Sequence, residues 1–155
     1  MYIKTVKLKR PVFVLLVTLI AAGLVVLAGL CAVKASAGRR VYKVKTEQQR
    51  HQLIRELGWE TGEKPLSHKT ITIPDRFDKV YEGYNRLQKE QGFDLTPYRG
   101  KKAEVYTYKV YNYKGHKDCM QLTLIGCGGE LIAGDVCCTE LDGFMQGLAM
   151  EKQKK

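Results

Sequence analysis

The four cysteines in the last third of the chain are the residues whose types and spacing most clearly indicate chemistry. They are Cys119, Cys127, Cys137 and Cys138. A two-residue turn at Gly128-Gly129 places Cys119 opposite Cys138, and opposed Cβ atoms in a hairpin lie about 4.5–5.5 Å apart, within a small adjustment of a disulfide. The pattern therefore predicts a disulfide between Cys119 and Cys138. Four reduced thiols are the alternative that the sequence leaves open.

A metal site is the second kind of chemistry that these side chains suggest. The possible ligands are the four cysteines together with His51, His68 and His116. Neither a C-x-x-C nor an H-x-x-x-H spacing occurs, and the neighbours Cys137 and Cys138 point to opposite faces of a strand. The sequence therefore predicts no metal site and no other cofactor.

Asp135 is a carboxylate in the middle of a predicted strand, on an apolar face that the predicted register shares with Leu131 and Cys137. The structural interpretation is a buried aspartate that accepts hydrogen bonds from its neighbours. The functional interpretation is a ligand or proton site with a raised pKa. Combined with a histidine, Asp135 and Cys137 would also make a thiol- or carboxylate-dependent enzyme, which stands as an alternative function.

Two tyrosines complete the set of candidate binding residues. Tyr106 and Tyr108 alternate along a predicted strand and share one face with Val110. An aromatic row on a sheet can be a platform for a sugar ring or a partner strand. More often such a row is sheet packing with hydroxyl groups at the rim, and this interpretation stays open beside the first.

The elements that must position these residues begin with two helices. Thr46 and Gln49 form a capping-box pattern, and the predicted helix 47–57 ends at Gly58. A short strand at 70–73 follows. Asp75 is the predicted cap of a second helix, whose apolar stripe is Phe77, Val80, Tyr84 and Leu87 and whose end is Gly92.

Three strands follow the second helix, over 103–113, 120–126 and 131–138, and Thr139 with Asp142 predicts a short last helix that holds Leu141, Phe144 and Leu148. The fold class is therefore α+β, with the order α-β-α-β-β-β and an antiparallel sheet that carries its helices on one face.

Residues 11–33 predict a transmembrane helix in front of this domain. Residues 12–33 lack charges, and 22 residues of helix extend about 33 Å, close to the ~30 Å hydrocarbon core of a bilayer. The basic segment 1–10 indicates that the N-terminus stays in the cytoplasm, so residues 34 onward lie outside. Two alternatives remain: a signal peptide cleaved after Ala37, and a lipoprotein modified at Cys31.

The charge distribution argues against a nucleic-acid partner. The formal net charge is +10, but residues 1–40 hold seven basic and no acidic residues, and the last five residues add +2. The region between is close to neutral, so the basic excess belongs to the membrane signal and the tail. The sequence predicts no nucleic-acid binding.

Several segments of the chain resemble an uncharacterised domain-of-unknown-function family from Gram-positive anaerobes, usually carried behind one membrane anchor. The resemblance spans about 41–148 and is carried by residues 57–60, 73–77, 84–95, 98–101, 106–108, 112–113, 134–137 and 141–145. It implies an extracytoplasmic α+β domain and supplies no activity, cofactor or catalytic residue.

These observations predict a single-pass protein of the cell membrane with a linker at 34–45, an extracytoplasmic domain at 46–149 and a charged tail at 150–155. The predicted function is a non-enzymatic interaction module of the cell envelope. Its partners would be the membrane, through residues 11–33, and a protein or a wall polymer. A structural subunit of a larger membrane complex is the remaining alternative.

Overall fold

The computed structural model describes residues 41–116 and 118–150. The predicted transmembrane helix at 11–33, the basic segment at 1–10 and the tail after residue 150 lie outside these residues. Among the residues described, no helix has the length and apolar character needed to cross a bilayer.

Capping residues define the two α-helices of the described region. Helix α1, Glu47–Glu56, begins at the predicted capping box, where the Gln49 backbone N–H donates to the Thr46 hydroxyl and the Thr46 backbone N–H donates to the Gln49 side chain. It ends at Gly58, whose φ of 88° suits a glycine. The predicted boundaries of this helix are confirmed to within a residue.

Helix α2, Lys79–Glu90, begins later than the sequence predicts. Asp78, not Asp75, is its N-cap, because Ile73 still exchanges backbone hydrogen bonds with Gly100 and Lys101 and holds the preceding chain to the sheet. The predicted apolar stripe is correspondingly displaced, and the Val80 side chain is 78 % exposed. The predicted end at Gly92 is confirmed, with the hydrogen bonds of a Schellman motif.

Five antiparallel strands form one sheet in chain order. They are β1 (Ser67–Thr72), β2 (Lys102–Lys109), β3 (Met120–Cys127), β4 (Glu130–Cys138) and β5 (Met145–Gln146). Gly128 and Gly129 both have positive φ and make the predicted tight turn between β3 and β4. A 3-10 turn, Thr96–Tyr98, precedes β2.

The predicted last helix is wrong, because β5 stands in its place. The Cys138 backbone N–H donates to the Phe144 carbonyl, so the chain returns beside β4 as a strand. Leu141, predicted to pack on the domain, is fully exposed in the connecting loop, whereas Leu148 is buried as expected.

An irregularity in the β3–β4 pairing changes which side chains share a face. Gly126 pairs with Leu131, but Ile125 pairs with Ala133, so Ile132 is an extra residue on β4. From Ala133 onward, each residue of β3 pairs with the β4 residue one position later than predicted. The later residues of β4 therefore lie on the opposite face, relative to Leu131, from the one predicted. The prediction that Leu131 lies on the face of Asp135 and Cys137 is therefore wrong.

The two helices pack on opposite faces of the sheet, and the prediction of helices on one face is wrong. Leu53 and Ile54 of α1 belong to a core cluster with Tyr106 and Tyr108 of β2. Tyr81 and Tyr84 of α2 pack against a second cluster, whose members include Ala103, Val105, Ile125 and Ala133. Successive residues of β2 alternate between the clusters, as side chains of a strand alternate between faces.

The outer edge of β4 is covered partly by β5 and partly by α2. β5 pairs only with Val136 and Cys137. At Gly134 the Gln88 side-chain oxygen accepts from the backbone N–H at 2.9 Å, and the Gln91 amide donates to the backbone carbonyl at 3.0 Å. Both polar backbone groups of Gly134 are thus satisfied by side chains.

Candidate functional site

The structure joins Cys119 and Cys138 in a disulfide at the end of the β3–β4 hairpin. Their Cα atoms lie 4.9 Å apart, within the range that disulfides require. The two residues are not directly opposite each other, because the extra residue on β4 makes Met120 the partner of Cys138. Cys119 precedes β3 and reaches Cys138 from the adjacent position.

Two further polar side chains lie beside this disulfide. His116, in the loop between β2 and β3, places Nδ1 4.0 Å from the Cys119 sulfur. Glu140, in the loop after β4, places Oε2 3.8 Å from the Cys138 sulfur. The four potential ligand atoms all lie within 4.8 Å of one another, so the structure brings together a set of residues that the sequence analysis did not combine.

Asp135 lies at the centre of a second polar cluster, on the face that α2 covers. Its side chain is 3 % exposed and accepts a 2.8 Å hydrogen bond from the Tyr84 hydroxyl. Burial raises the pKa of Asp135 to about 6, although the hydrogen bonds from Tyr84 and the Cys137 thiol act in the opposite direction. Asp135 and Cys137 therefore share a face and are in contact.

Cys137 is half-buried and is a free cysteine. Burial, together with the negative charge and the hydrogen bonding of Asp135, raises the pKa of the Cys137 thiol to about 11. A thiolate is the nucleophilic form of cysteine, so a pKa in this range favours an unreactive thiol at neutral pH.

None of the chain's three histidines joins Asp135 and Cys137. His51 contacts the Glu63 backbone carbonyl, His68 pairs with Glu104, and His116 lies beside Cys119. The constellation that the enzyme alternative needs, a histidine next to Cys137 and Asp135, is not formed.

Tyr106 and Tyr108 are core residues that hold a buried arginine. Tyr106 is 9 % exposed and Tyr108 is fully buried, so neither offers an open platform. The Arg50 guanidinium lies 3.8 Å above the centre of the Tyr106 ring and donates to the Tyr108 hydroxyl at 2.8 Å. It also donates to the backbone carbonyls of Val44 and Lys45, both at 3.0 Å.

A cleft of about 680 Å³ opens between α1 and the chain that follows Trp59. Its lining combines side chains of both charges with the apolar residues Ile54 and Trp59. The charged and polar members are Glu47, Gln48, His51, Arg55, Glu60, Thr61, Glu63 and Lys64. Its volume falls in the range of small-molecule sites.

Sequence reasoning missed Arg50, Tyr84 and Glu140 as partners of the candidate residues. Arg50 stands three and four positions before the apolar residues Leu53 and Ile54, so helical spacing alone would have placed it on the buried side. The H-x-x-C spacing of His116 and Cys119 would likewise have paired this histidine with the predicted disulfide. Tyr84 meets Asp135 across 51 residues, and no local pattern indicates that contact.

Comparison with known proteins places the chain in a family without assigning it an activity. A family model described as domain of unknown function (DUF4830) matches residues 53–136, from within α1 to within β4. No curated protein and no solved structure matches the chain significantly. The matched segment exceeds half of the chain and contains Tyr84, Tyr106, Tyr108, Cys119 and Asp135. The chain therefore belongs to the DUF4830 family of domains of unknown function, which confirms its resemblance to an uncharacterised family.

Proposed function

We propose that this protein is a membrane-tethered, extracytoplasmic interaction module without catalytic activity, and that the cleft beside α1 binds a segment of a partner protein. The single observation that carries the proposal is the cleft itself, with its volume of about 680 Å³ and its lining of mixed charge. The uncharged run at 11–33 supports the tether, and the Cys119–Cys138 disulfide supports an oxidising compartment.

The lining of the cleft favours a protein over a wall polymer. Glu47, Glu60 and Glu63 supply negative charge, while Arg55 and Lys64 supply positive charge, which complements the mixed charges of a peptide. Sugar rings are commonly bound on exposed aromatic faces. Trp59 lines the cleft, but it is 3 % exposed and stacks on Tyr113.

The absence of catalytic activity is proposed from the state of the candidate nucleophile. Cys137 lies beside a carboxylate, its pKa is raised to about 11, and no histidine is within its cluster. An activated cysteine requires the opposite setting, with a neighbouring base or cation that lowers the thiol pKa.

Site-specific photocrosslinking in native membranes tests the binding surface. In the full chain, a photoreactive residue replaces Gln48 or Lys64 in the cleft. As a matched control, it replaces Arg86 on the exposed side of α2. We expect one reproducible protein adduct from the cleft positions and none from Arg86. The double charge reversal R55E/K64E should lower the adduct yield at least fivefold, whereas K79E/R86E on α2 should leave it unchanged.

Equal adduct patterns at the cleft and at Arg86 would contradict the proposed binding surface. The tether is tested separately by trypsin digestion of intact and of permeabilised cells. Cleavage of the domain only after permeabilisation would overturn its extracytoplasmic location.

A further inference from the structure

The cluster at the end of the β3–β4 hairpin has the composition and spacing of a metal site. His116 and Cys119 approach from the loop before β3, and Cys138 and Glu140 approach from the end of β4. The distances of 4.0 Å from His116 Nδ1 to the Cys119 sulfur and 3.8 Å from the Cys138 sulfur to Glu140 Oε2 resemble the edges of a coordination tetrahedron. For Zn–S bonds of about 2.3 Å and Zn–N bonds of about 2.0 Å, those edges are roughly 3.3–3.8 Å.

The donor set suits zinc better than it suits magnesium or calcium. Two thiolates, one imidazole nitrogen and one carboxylate oxygen are ligands that zinc accepts in tetrahedral sites, whereas magnesium and calcium require oxygen donors. The two sulfurs are buried and Glu140 is exposed, so a metal ion can enter from the Glu140 side while the thiolates remain shielded.

We propose that the disulfide and a zinc ion are alternative occupants of this cluster, with zinc bound by His116, Cys119, Cys138 and Glu140 when the two cysteines are reduced. A dithiol reductant supplies two electrons and two protons, which break the sulfur–sulfur bond and leave two thiols while the dithiol becomes a disulfide. Zinc then replaces the two thiol protons, which are released to solvent.

The two states exclude each other for a geometric reason. A disulfide holds its sulfurs at about 2.05 Å, whereas two thiolates on one tetrahedral zinc stand roughly 3.8 Å apart. Either link connects the start of β3 to the end of β4, so the hairpin is fastened in both states. Only zinc also binds His116 and Glu140, and it therefore ties the loop before β3 to the loop after β4.

The arrangement around His116 supports a role beyond contact with a disulfide. Its ring packs against Tyr113 and Phe144, with centroids 5.9 and 5.4 Å away. With the ring packed in this way, its Nδ1 lies on the side of the disulfide, 4.0 Å from the Cys119 sulfur. A ligand that is oriented before the metal arrives loses less conformational freedom on binding.

Cobalt and zinc titration of the full chain in detergent tests the proposal. The protein is prepared oxidised, or reduced with a phosphine that is then removed without air. We expect the reduced chain to bind one Co²⁺ with thiolate-to-cobalt charge-transfer bands and the intense visible bands of a tetrahedral site, and Zn²⁺ to displace it. The oxidised chain should show neither signal.

Variants separate this cluster from the other cysteines. H116A and E140Q change residues outside the strands, and each should weaken zinc binding at least about tenfold, while C119S should abolish the charge-transfer bands. The matched controls C31S, C127S and C137S should bind as the unaltered chain does. Circular dichroism of each variant verifies that the fold is retained.

Two results would overturn the proposal. One is a reduced, folded chain that binds no cobalt. The other is a chain whose zinc affinity is unchanged by both H116A and E140Q, since this would assign the metal to thiols alone.

Discussion

Each face of the sheet buries a basic or an acidic side chain beside a tyrosine hydroxyl, and the two faces differ in how they accommodate its charge. On the α1 face, Arg50 donates to Tyr108 over 2.8 Å. On the α2 face, Asp135 accepts from Tyr84 over the same distance. The arginine has two further acceptors and an aromatic ring, whereas the aspartate has the Cys137 thiol as its other neighbour.

The difference follows from the chemistry of the two groups. A guanidinium cannot lose its proton at any pH that a protein experiences, so its burial requires permanent acceptors. A carboxyl can become neutral instead, and burial accordingly raises the pKa of Asp135 to about 6. The contribution of Arg50 to stability is therefore independent of pH, whereas the contribution of Asp135 depends on pH.

The largest expected effect comes from removing the arginine. Arg50→Met keeps an apolar stem and leaves the Tyr108 hydroxyl and the carbonyls of Val44 and Lys45 without their donor. We expect the free energy of unfolding to fall by about 2–4 kcal/mol, equally at pH 5 and pH 8. Urea unfolding followed by the fluorescence of Trp59, the single tryptophan of the chain, measures it. Arg55→Met, on the exposed side of α1, should cost no more than about 0.5 kcal/mol.

The second effect is the pH dependence that Asp135 introduces. Between the unfolded pKa near 3.8 and the folded pKa near 6, the folded protein holds a proton that the unfolded chain has lost. The contribution of Asp135 to stability is therefore present at low pH and decreases as the pH rises from about 4 to about 6, by about 3 kcal/mol at most. In Asp135→Asn this decrease should disappear.

Unfolding free energies of both proteins at several pH values between 4 and 7 provide the test. Asp142→Asn, a change in the exposed loop before β5, is the control and should leave the profile of the unaltered chain. If Asp135→Asn and the unaltered chain give parallel profiles, the stability of the α2 face does not depend on the ionisation of Asp135.

The smallest effect distinguishes the two tyrosines. Tyr84→Phe removes a hydrogen bond that lowers the pKa of Asp135, so the decrease in stability should extend to higher pH, with an overall loss of about 1 kcal/mol. Tyr108→Phe should destabilise the protein without moving the midpoint of the profile, because Arg50 does not titrate. If the pH midpoint shifts equally in both variants, the shift does not come from loss of the Tyr84–Asp135 hydrogen bond. A general loss of packing would then be its cause.

Features set by neighbouring residues were predictable from the sequence. The capping box at Thr46, the helix ends at Gly58 and Gly92 and the turn at Gly128-Gly129 depend on side chains and φ values within one or two turns of the chain. The pairing of Cys119 with Cys138 was predictable for the same reason, since both residues flank one hairpin. The disulfide still forms although the β3–β4 pairing is shifted by one residue, because Cys119 lies just outside β3.

Features that depend on distant contacts were not predictable in the same way. The extra residue Ile132 has no turn signal, yet it shifts all later β4 positions and removes Leu131 from the face that Asp135 and Cys137 share. The helices on opposite faces and the contact between Tyr84 and Asp135 arise only when α2 is placed against β4. A repeat of apolar residues every two or 3.6 positions predicts which side chains of a strand or a helix lie on the same side. It does not predict which face of the sheet a given helix packs against.

The glutamines at Gly134 have a consequence for the behaviour of many copies of the domain together. An uncovered strand edge is a template on which the backbone of a neighbouring molecule can pair, which is a common route to aggregation. Gln88 accepts from the backbone N–H of Gly134, and Gln91 donates to the backbone carbonyl of the same residue. The two-residue strand β5 does not extend to this position of β4. Two side-chain amides thus close that position to a foreign strand, and they do so without lengthening the sheet by another strand.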